Sequence, residues 1–464
     1  MRKKKLVWGP TFEEMLHPER IKEDIRKKAL KAAKDSPLNP INLYNINWTD
    51  NKDNLCYVVI PKELTGVDAN IIVLYSKNFP TGSHKVGATY SVVLENQLSG
   101  EIIPGQDTLI FPSTGNYGIG GSWTGTRMGY STKVILPEMM SKERFEKITF
   151  YGGEYIKTPG CESSVRDIYD KCWELKRESP RNKILNQFES FGNYMFHYYV
   201  TGNTISEITK VLYEQGIGNG RVSALVSSMG SAGTIASGDR LKQLYSETKI
   251  IGLEPIQCPT IYNNGYGTHD IQGIGDNHVT WIHNIMNMDS IMCIDDIECK
   301  KGLQLLTDEI GKEYLSSELK ISNETINTLS EIFGISGVCN LIGAIKTAKY
   351  YEMTYKDNIF TICTDTIDRY YSIMEDLNQN FGTMTKTEAA VRYHSIFHNI
   401  KLDYIEEGTF KARKRWHDLK YYTWVEQQKK SVHELDAQKT QDYWIEKQNE
   451  IQGIDKKLKE VRGF

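Results

Sequence analysis

From about residue 50 to residue 375 the chain alternates short apolar runs with longer amphipathic stretches. The runs LCYVVIP, IIVLYS, TLIFPS, KVILP, GEYIKTP, SALVSSM, KIIGLEP and NIFTICTD have the length and β-branched or aromatic content of strands, and the segments between them suit crossover helices. That order predicts an α/β fold built on mostly parallel sheet. Several of the runs are apolar almost throughout instead of alternating, the pattern of strands buried on both faces. Open sheets of this kind bind ligands beyond the carboxyl ends of their strands, so the loops that follow these runs are where chemistry is expected.

The two ends read differently. Residues 1–45 are a charged lead-in that predicts a helical N-terminal extension, and 385–464 are polar, aromatic and helical in pattern. The last stretch, KQNEIQGIDKKLKEVRGF, alternates charge signs and reads as a solvated helix face. The Tyr and Trp content of the tail equally suits an oligomerisation arm or a cover over the active site, and both readings stay open.

At 464 residues the chain can hold more than one domain and a cleft between them. Its 56 basic and 59 acidic residues nearly cancel, so no net field recruits nucleic acid or an anionic membrane. The basic start MRKKK leads into no apolar stretch, and no run of about 18 apolar residues occurs. A soluble, cytoplasmic protein is expected. Eight cysteines without a CxxC pair, several inside apolar runs, suit reduced buried thiols. The histidines show no HExxH spacing, and no metal site is expected.

Three loops carry candidate chemistry, each after an apolar run and before a helical pattern. In NFPTGSHKVGATYSVV, Lys85 can anchor a carbonyl cofactor, because its surroundings can lower the pKa of the amine. In FPSTGNYGIG, the backbone N–H groups at the start of a helix and the hydroxyls of Ser113 and Thr114 can hold a carboxylate, while Asn116 can donate to a phenolic oxygen. In SSMGSAGTIASG, Gly230, Ser231, Ala232, Gly233 and Thr234 let backbone approach a phosphate at a helix start. Alone, the second loop could be an ordinary glycine turn and the third a helix-packing stripe. The third lacks a GKS or GKT ending, which argues against a nucleoside triphosphate.

In order, SHK, STGNYGIG, PEMMSKERFEKITFYGGEYIKTPG, NQFES with HYYVTGN, GSAGT, GLEP, QGIGD, SGVCNLIGA and TDTIDRYYS resemble the pyridoxal phosphate enzymes of fold type II, in particular the cysteine synthase and cystathionine β-synthase group. The resemblance covers roughly residues 50–375. It implies two open twisted sheets flanked by helices, with a large cofactor-binding domain over 46–87 and 196–384, a small domain over 88–195, and helical extensions at both ends. It also implies roles. Lys85 would hold pyridoxal 5'-phosphate as a Schiff base and shuttle the substrate Cα proton. Asn116 would bond the phenolic oxygen of the cofactor, and 230–234 its phosphate. Ser113, Thr114, Gly115, Asn116, Tyr117 and Gln187 would surround the substrate, and Thr366 would face the pyridine nitrogen.

A hydroxyl there leaves the nitrogen unprotonated and the ring a weaker electron sink, which suits loss of a β-leaving group; Asp365 in that place would reverse the argument. The implied reaction is β-replacement by sulfide or a thiol, or β-elimination, on an L-amino acid such as O-acetylserine, serine or cysteine through an aminoacrylate. A serine or threonine dehydratase, a threonine synthase and a non-catalytic binding protein are the alternatives, and a homodimer is the implied assembly. Three departures from the family bear on substrate choice. Tyr117 replaces a small residue, and His84 precedes the lysine as in the tryptophan synthase β-subunit. Asp276 and His278 follow QGIG where apolar residues are usual, either in a solvated loop or in contact with the leaving group or nucleophile.

Overall fold

The computed structural model describes residues 6–113, 115–161 and 164–463. Among these residues eleven strands form two sheets. They are β1 (Tyr57–Val59), β2 (Asn70–Tyr75), β3 (Thr108–Pro112), β4 (Ser131–Pro137), β5 (Glu154–Thr158), β6 (Asn182–Ile184), β7 (Ala224–Ser228), β8 (Lys249–Pro255), β9 (Ser290–Ile294), β10 (Asn358–Cys363) and β11 (Ile405–Glu407). The larger sheet has the order β1-β2-β10-β7-β8-β9-β11, with β2, β10, β7, β8 and β9 parallel and an antiparallel strand at each edge. The smaller sheet, β5-β4-β3-β6, is parallel throughout.

All eight apolar runs read from the sequence become strands. Three strands escape that reading: β6 and β11 have only three residues each and are partly exposed, and the five-residue SIMCI of β9 cannot be told from a buried helical segment by its pattern. β11 corrects the expectation of a purely helical tail, because it pairs with β9 and closes that edge of the large sheet.

Alternation along the strands divides the core. Ile72 and Leu74 of β2 and Phe360 and Ile362 of β10 face a core shared with Leu109 and Phe111 of β3, so apolar packing is continuous between the two sheets. Ile71, Val73, Ile359 and Cys363 face the other side, where the helix Ile335–Tyr350 lies against the large sheet. That helix is buried nearly all round, as its low-polarity run SGVCNLIGA requires. The eight cysteines are all buried. No single helix among the described residues is long and apolar enough to cross a membrane.

The tail is more firmly packed than its charge pattern suggests. Trp444, Gln448, Ile451, Asp455 and Leu458 recur at intervals of three and four along the helix Gln441–Arg462 and are all buried, so only its opposite face is solvated. Asp455 accepts the backbone N–H groups of Phe12 (2.8 Å) and Glu13 (3.1 Å), and Arg462 pairs with Glu14 (2.6 Å). The two ends of the chain thereby meet.

Candidate active site

Lys85 opens the helix Lys85–Ser99 after the turn that follows β2. Its Nζ donates to Ser231 Oγ (2.8 Å) and to Gln187 Oε1 (3.3 Å). The neighbouring His84 is fully buried, with Nε2 2.9 Å from Thr234 Oγ1 and its ring 4.8 Å from that of His197. Burial, reinforced by the adjacent charges, holds both imidazoles well below their usual pKa, so they are neutral. His84 therefore works as a hydrogen-bonding prop for Thr234 and not as a charge.

The loop after β3 is organised by Ser113, whose Oγ accepts the N–H groups of Gly115 (2.9 Å) and Gly118 (2.8 Å). Gly115 has φ +150°, and a Cβ there would lie 1.8 Å from Arg144 Nη1, so only glycine fits. Asn116 starts the helix Asn116–Arg127; its Nδ2 donates to Asp365 Oδ2 (2.6 Å) and its Oδ1 accepts from Arg369 Nε (2.9 Å). Tyr117 is buried, with its hydroxyl on the carbonyl of Leu185 (3.2 Å) and its ring 5.6 Å from Phe111. Thr114 lies outside the described residues.

The loop after β7 is built for close approach. A Cβ on Gly230 would meet the carbonyl of Gly273 at 2.7 Å, one on Gly233 would meet Asn193 Oδ1 at 2.1 Å, and Ala232 takes φ +59°. Asn193 fixes the loop from behind by donating to Ser231 Oγ and to the Gln187 carbonyl, both at 3.0 Å.

Lys85, Ser113, Gly115, Asn116, Tyr117, Gln187, Gly230, Ser231, Ala232 and Thr234 line one narrow cleft, so the three loops singled out in the sequence converge. Gly233 sits just behind, against Asn193. Thr366 is not among the lining residues: its hydroxyl bonds Asp368, and the residue at the end of β10 that reaches the cleft is Thr364, backed by Ser336 Oγ at 2.7 Å. Asp365 is turned away into a buried cluster with Asn116, Tyr370 OH (2.7 Å) and Arg144 (3.6 Å).

A small-residue loop at a strand-to-helix junction, next to a lysine amine and an asparagine, matches the donor set that a phosphorylated aldehyde cofactor needs. The family described as pyridoxal-phosphate dependent enzyme matches residues 62–311. The chain is a pyridoxal-phosphate dependent enzyme. Over 233 residues, half of the chain and 72% of the relative, it is 31% identical to a probable cysteine synthase of Bacillus subtilis. Over 301 residues it is 28% identical to cysteine synthase B of Campylobacter jejuni, covering 63% of the chain and 87% of the relative. Its fold is similar to that of O-acetyl serine sulfhydrylase isoform 3 from Entamoeba histolytica, with TM-score 0.61 and 23% identity over 82% of the chain and 97% of the other. A hydrogen sulfide-producing enzyme from Fusobacterium nucleatum gives TM-score 0.57 and 23% identity over 70% and 98%.

In this pyridoxal-phosphate dependent enzyme the QGIGD segment is buried, which overturns the solvated-loop reading of Asp276 and His278. Asp276 lines the cleft, and its Oδ1 has no hydrogen-bond partner among the described residues. Burial pushes its carboxyl up to about 7, against the pull of the Lys85 amine. His278 lies outside the cleft wall, among Tyr169, Phe188 and Trp424, and burial lowers it to about 4. Two further residues belong to the site: Thr364, which only its position at the carboxyl end of β10 signals in the sequence, and Arg144, which no spacing signals.

Proposed function

We propose that this enzyme acts on an L-amino acid with a β-leaving group, such as O-acetylserine, serine or cysteine, and either replaces that group with sulfide or another thiol or eliminates it. When bound, the cofactor supplies the electron sink that weakens the Cα–H bond of the amino acid. Lys85 Nζ, held between Ser231 and Gln187, is the group that takes the Cα proton and returns it. Ser113, Thr114 and Gly115, in the loop that the Ser113 hydroxyl organises, hold and orient the substrate carboxylate together with the Gln187 amide. Asn116 and the 230–234 loop hold the phenolic oxygen and the phosphate of the cofactor.

The observation that carries the choice of reaction is Thr364 at the β10 end of the cleft, with Asp365 tied into its own cluster. In this reading Thr364, and not Thr366, is the residue that would face the ring nitrogen, so a neutral hydroxyl leaves that nitrogen unprotonated and the sink modest. Expulsion of a β-group then competes well with other fates of the Cα carbanion. Asp276 is placed to accept a hydrogen bond from the leaving group or the incoming nucleophile.

The similarity to cysteine synthases supports the same reaction class and favours it over a dehydratase or threonine synthase. We further propose a cytoplasmic homodimer, with 88–195 as a small domain working against a large domain formed by 46–87 and 196–384. Product analysis with each donor, with and without sulfide or a thiol, tests the reaction. A new thioether or cysteine formed only with the nucleophile means replacement, and pyruvate with ammonia means elimination. Turnover of threonine to a keto acid, with none of the β-substituted donors consumed, would overturn the proposal.

A further inference from the structure

Residues 279–283 form a short bridge that is hydrogen-bonded on both sides. On the inner side, Thr280 Oγ1 donates to the carbonyl of Ser231 (3.0 Å), and Trp281 N donates to that of Phe188 (2.9 Å). Ser231 and Gln187, the residue before Phe188, are the two hydrogen-bond acceptors of Lys85 Nζ described above. On the outer side the C-terminal segment grips the same bridge. Lys420 Nζ donates to the carbonyls of Trp281 (3.1 Å) and His283 (2.7 Å), and Trp424 Nε1 donates to that of Val279 (2.7 Å).

Lys420 is an unusual side chain to find there. It is fully buried, and its third proton goes to the amide oxygen of Gln438 (2.7 Å). The rings of Trp281 and Trp444 lie 6.0 and 5.5 Å from the amine. Burial without an ion-pair partner among the described residues presses its pKa well below the usual amine range, a cost that an apolar side chain of the same length would avoid. What a lysine supplies that such a side chain does not is three donors for three oxygens, two of them main-chain carbonyls of the bridge.

We propose that Lys420 is a positioning residue of the cofactor site: by holding 279–283 from outside, the C-terminal segment sets the Ser231 and Phe188 backbone and, through them, the partners of Lys85 Nζ. The tail is thereby part of the site's supporting structure, although none of its described residues lines the cleft. This inference rests on the cofactor family alone and is independent of the reaction proposed above.

The test uses the full chain stripped of cofactor and titrated with pyridoxal phosphate, with affinity read from visible absorbance well below every melting temperature. Lys420→Met keeps the length and apolar stem and removes all three donors. Its affinity is expected to fall about tenfold or more. Asp455→Asn, which loosens the same tail where it meets Phe12 and Glu13, is expected to lower the melting temperature and leave cofactor affinity at the wild-type value. Thr280→Val, which cuts the link to Ser231, is expected to weaken binding, and the double variant to bind no worse than Lys420→Met alone, because both act along one route.

Wild-type affinity in Lys420→Met would overturn the proposal. So would an equal loss in Asp455→Asn, or losses that multiply in the double variant. Should Lys420→Met not fold, Trp424→Phe removes one donor to the same bridge and retains a ring. A smaller loss of affinity is expected there, and an unchanged affinity would refute the inference.

Discussion

Asp276 is the most informative single substitution, because burial and charge make opposite demands on it. In the folded protein its carboxyl titrates at about 7, against an ordinary value of 3.8. The raised value means that folding favours the protonated acid. The full stability of the native state at this site is therefore present below about pH 4, is eroded as the unfolded chain ionises, and reaches its maximal loss above about pH 7. A difference of about three pKa units corresponds to roughly 4 kcal/mol at the alkaline end, and half of that is easily read.

Asp276→Asn keeps the shape and removes the ionisation, so the cofactor-free variant should gain stability over wild type progressively between about pH 4 and 7 and hold that gain above. Urea unfolding of both proteins at matched pH values measures the difference. Taking the difference cancels the other acids that titrate in the same range, including the partly buried Glu95 and the buried Glu254, both raised to about 7 chiefly by desolvation. The groups facing Asp276, namely Lys85, Tyr169 and Cys258, are common to both proteins. A stability difference that does not change with pH, or a variant less stable than wild type at pH 8, would refute this reasoning.

Two further substitutions test the rest of the site. Gly233→Ala places a methyl 2.1 Å from Asn193 Oδ1, so it should push Asn193 off Ser231 and weaken retention of pyridoxal phosphate by on the order of tenfold, measured by dialysis and absorbance, with the far-ultraviolet dichroism unchanged. Asp365→Asn removes the carboxylate from a fully buried cluster with Arg144, Tyr370 and Asn116, and should cost roughly 3 kcal/mol in denaturant unfolding because a buried counter-charge beside Arg144 is lost.

Much of this architecture can be read from the chain without coordinates, and what cannot is physically uniform in kind. Most of the eight strands with apolar runs are legible because burial on both faces leaves a local signature, whereas the more exposed β1 and β5 are legible from their β-branched and aromatic residues; Lys85, the Asn116 loop and the 230–234 loop are legible too, each with its own small or polar residues at a strand end. What is not legible depends on contacts between distant segments. Thr364 and Thr366 are two residues apart with the same hydroxyl, and only the turn after β10 decides which reaches the cleft. Asp276 and Lys420 have surface-like side chains, and their burial comes from elements far away in sequence. The tail's charge alternation describes one face of its last helix, whereas the other face is set by Trp444, Ile451 and Leu458 meeting the body of the protein.

The most direct test of the central claim is to reduce the holoenzyme with borohydride, which fixes the cofactor to the lysine that carries it, and to map the labelled peptide. Visible spectra of wild type and Lys85→Ala are recorded in parallel as O-acetylserine, serine or cysteine is added. Label is expected on Lys85 alone, with loss of the lysine-linked absorbance in Lys85→Ala and a spectral change in wild type with at least one of these donors. Label on a different lysine, or a wild-type spectrum that none of the donors alters, would contradict the claim.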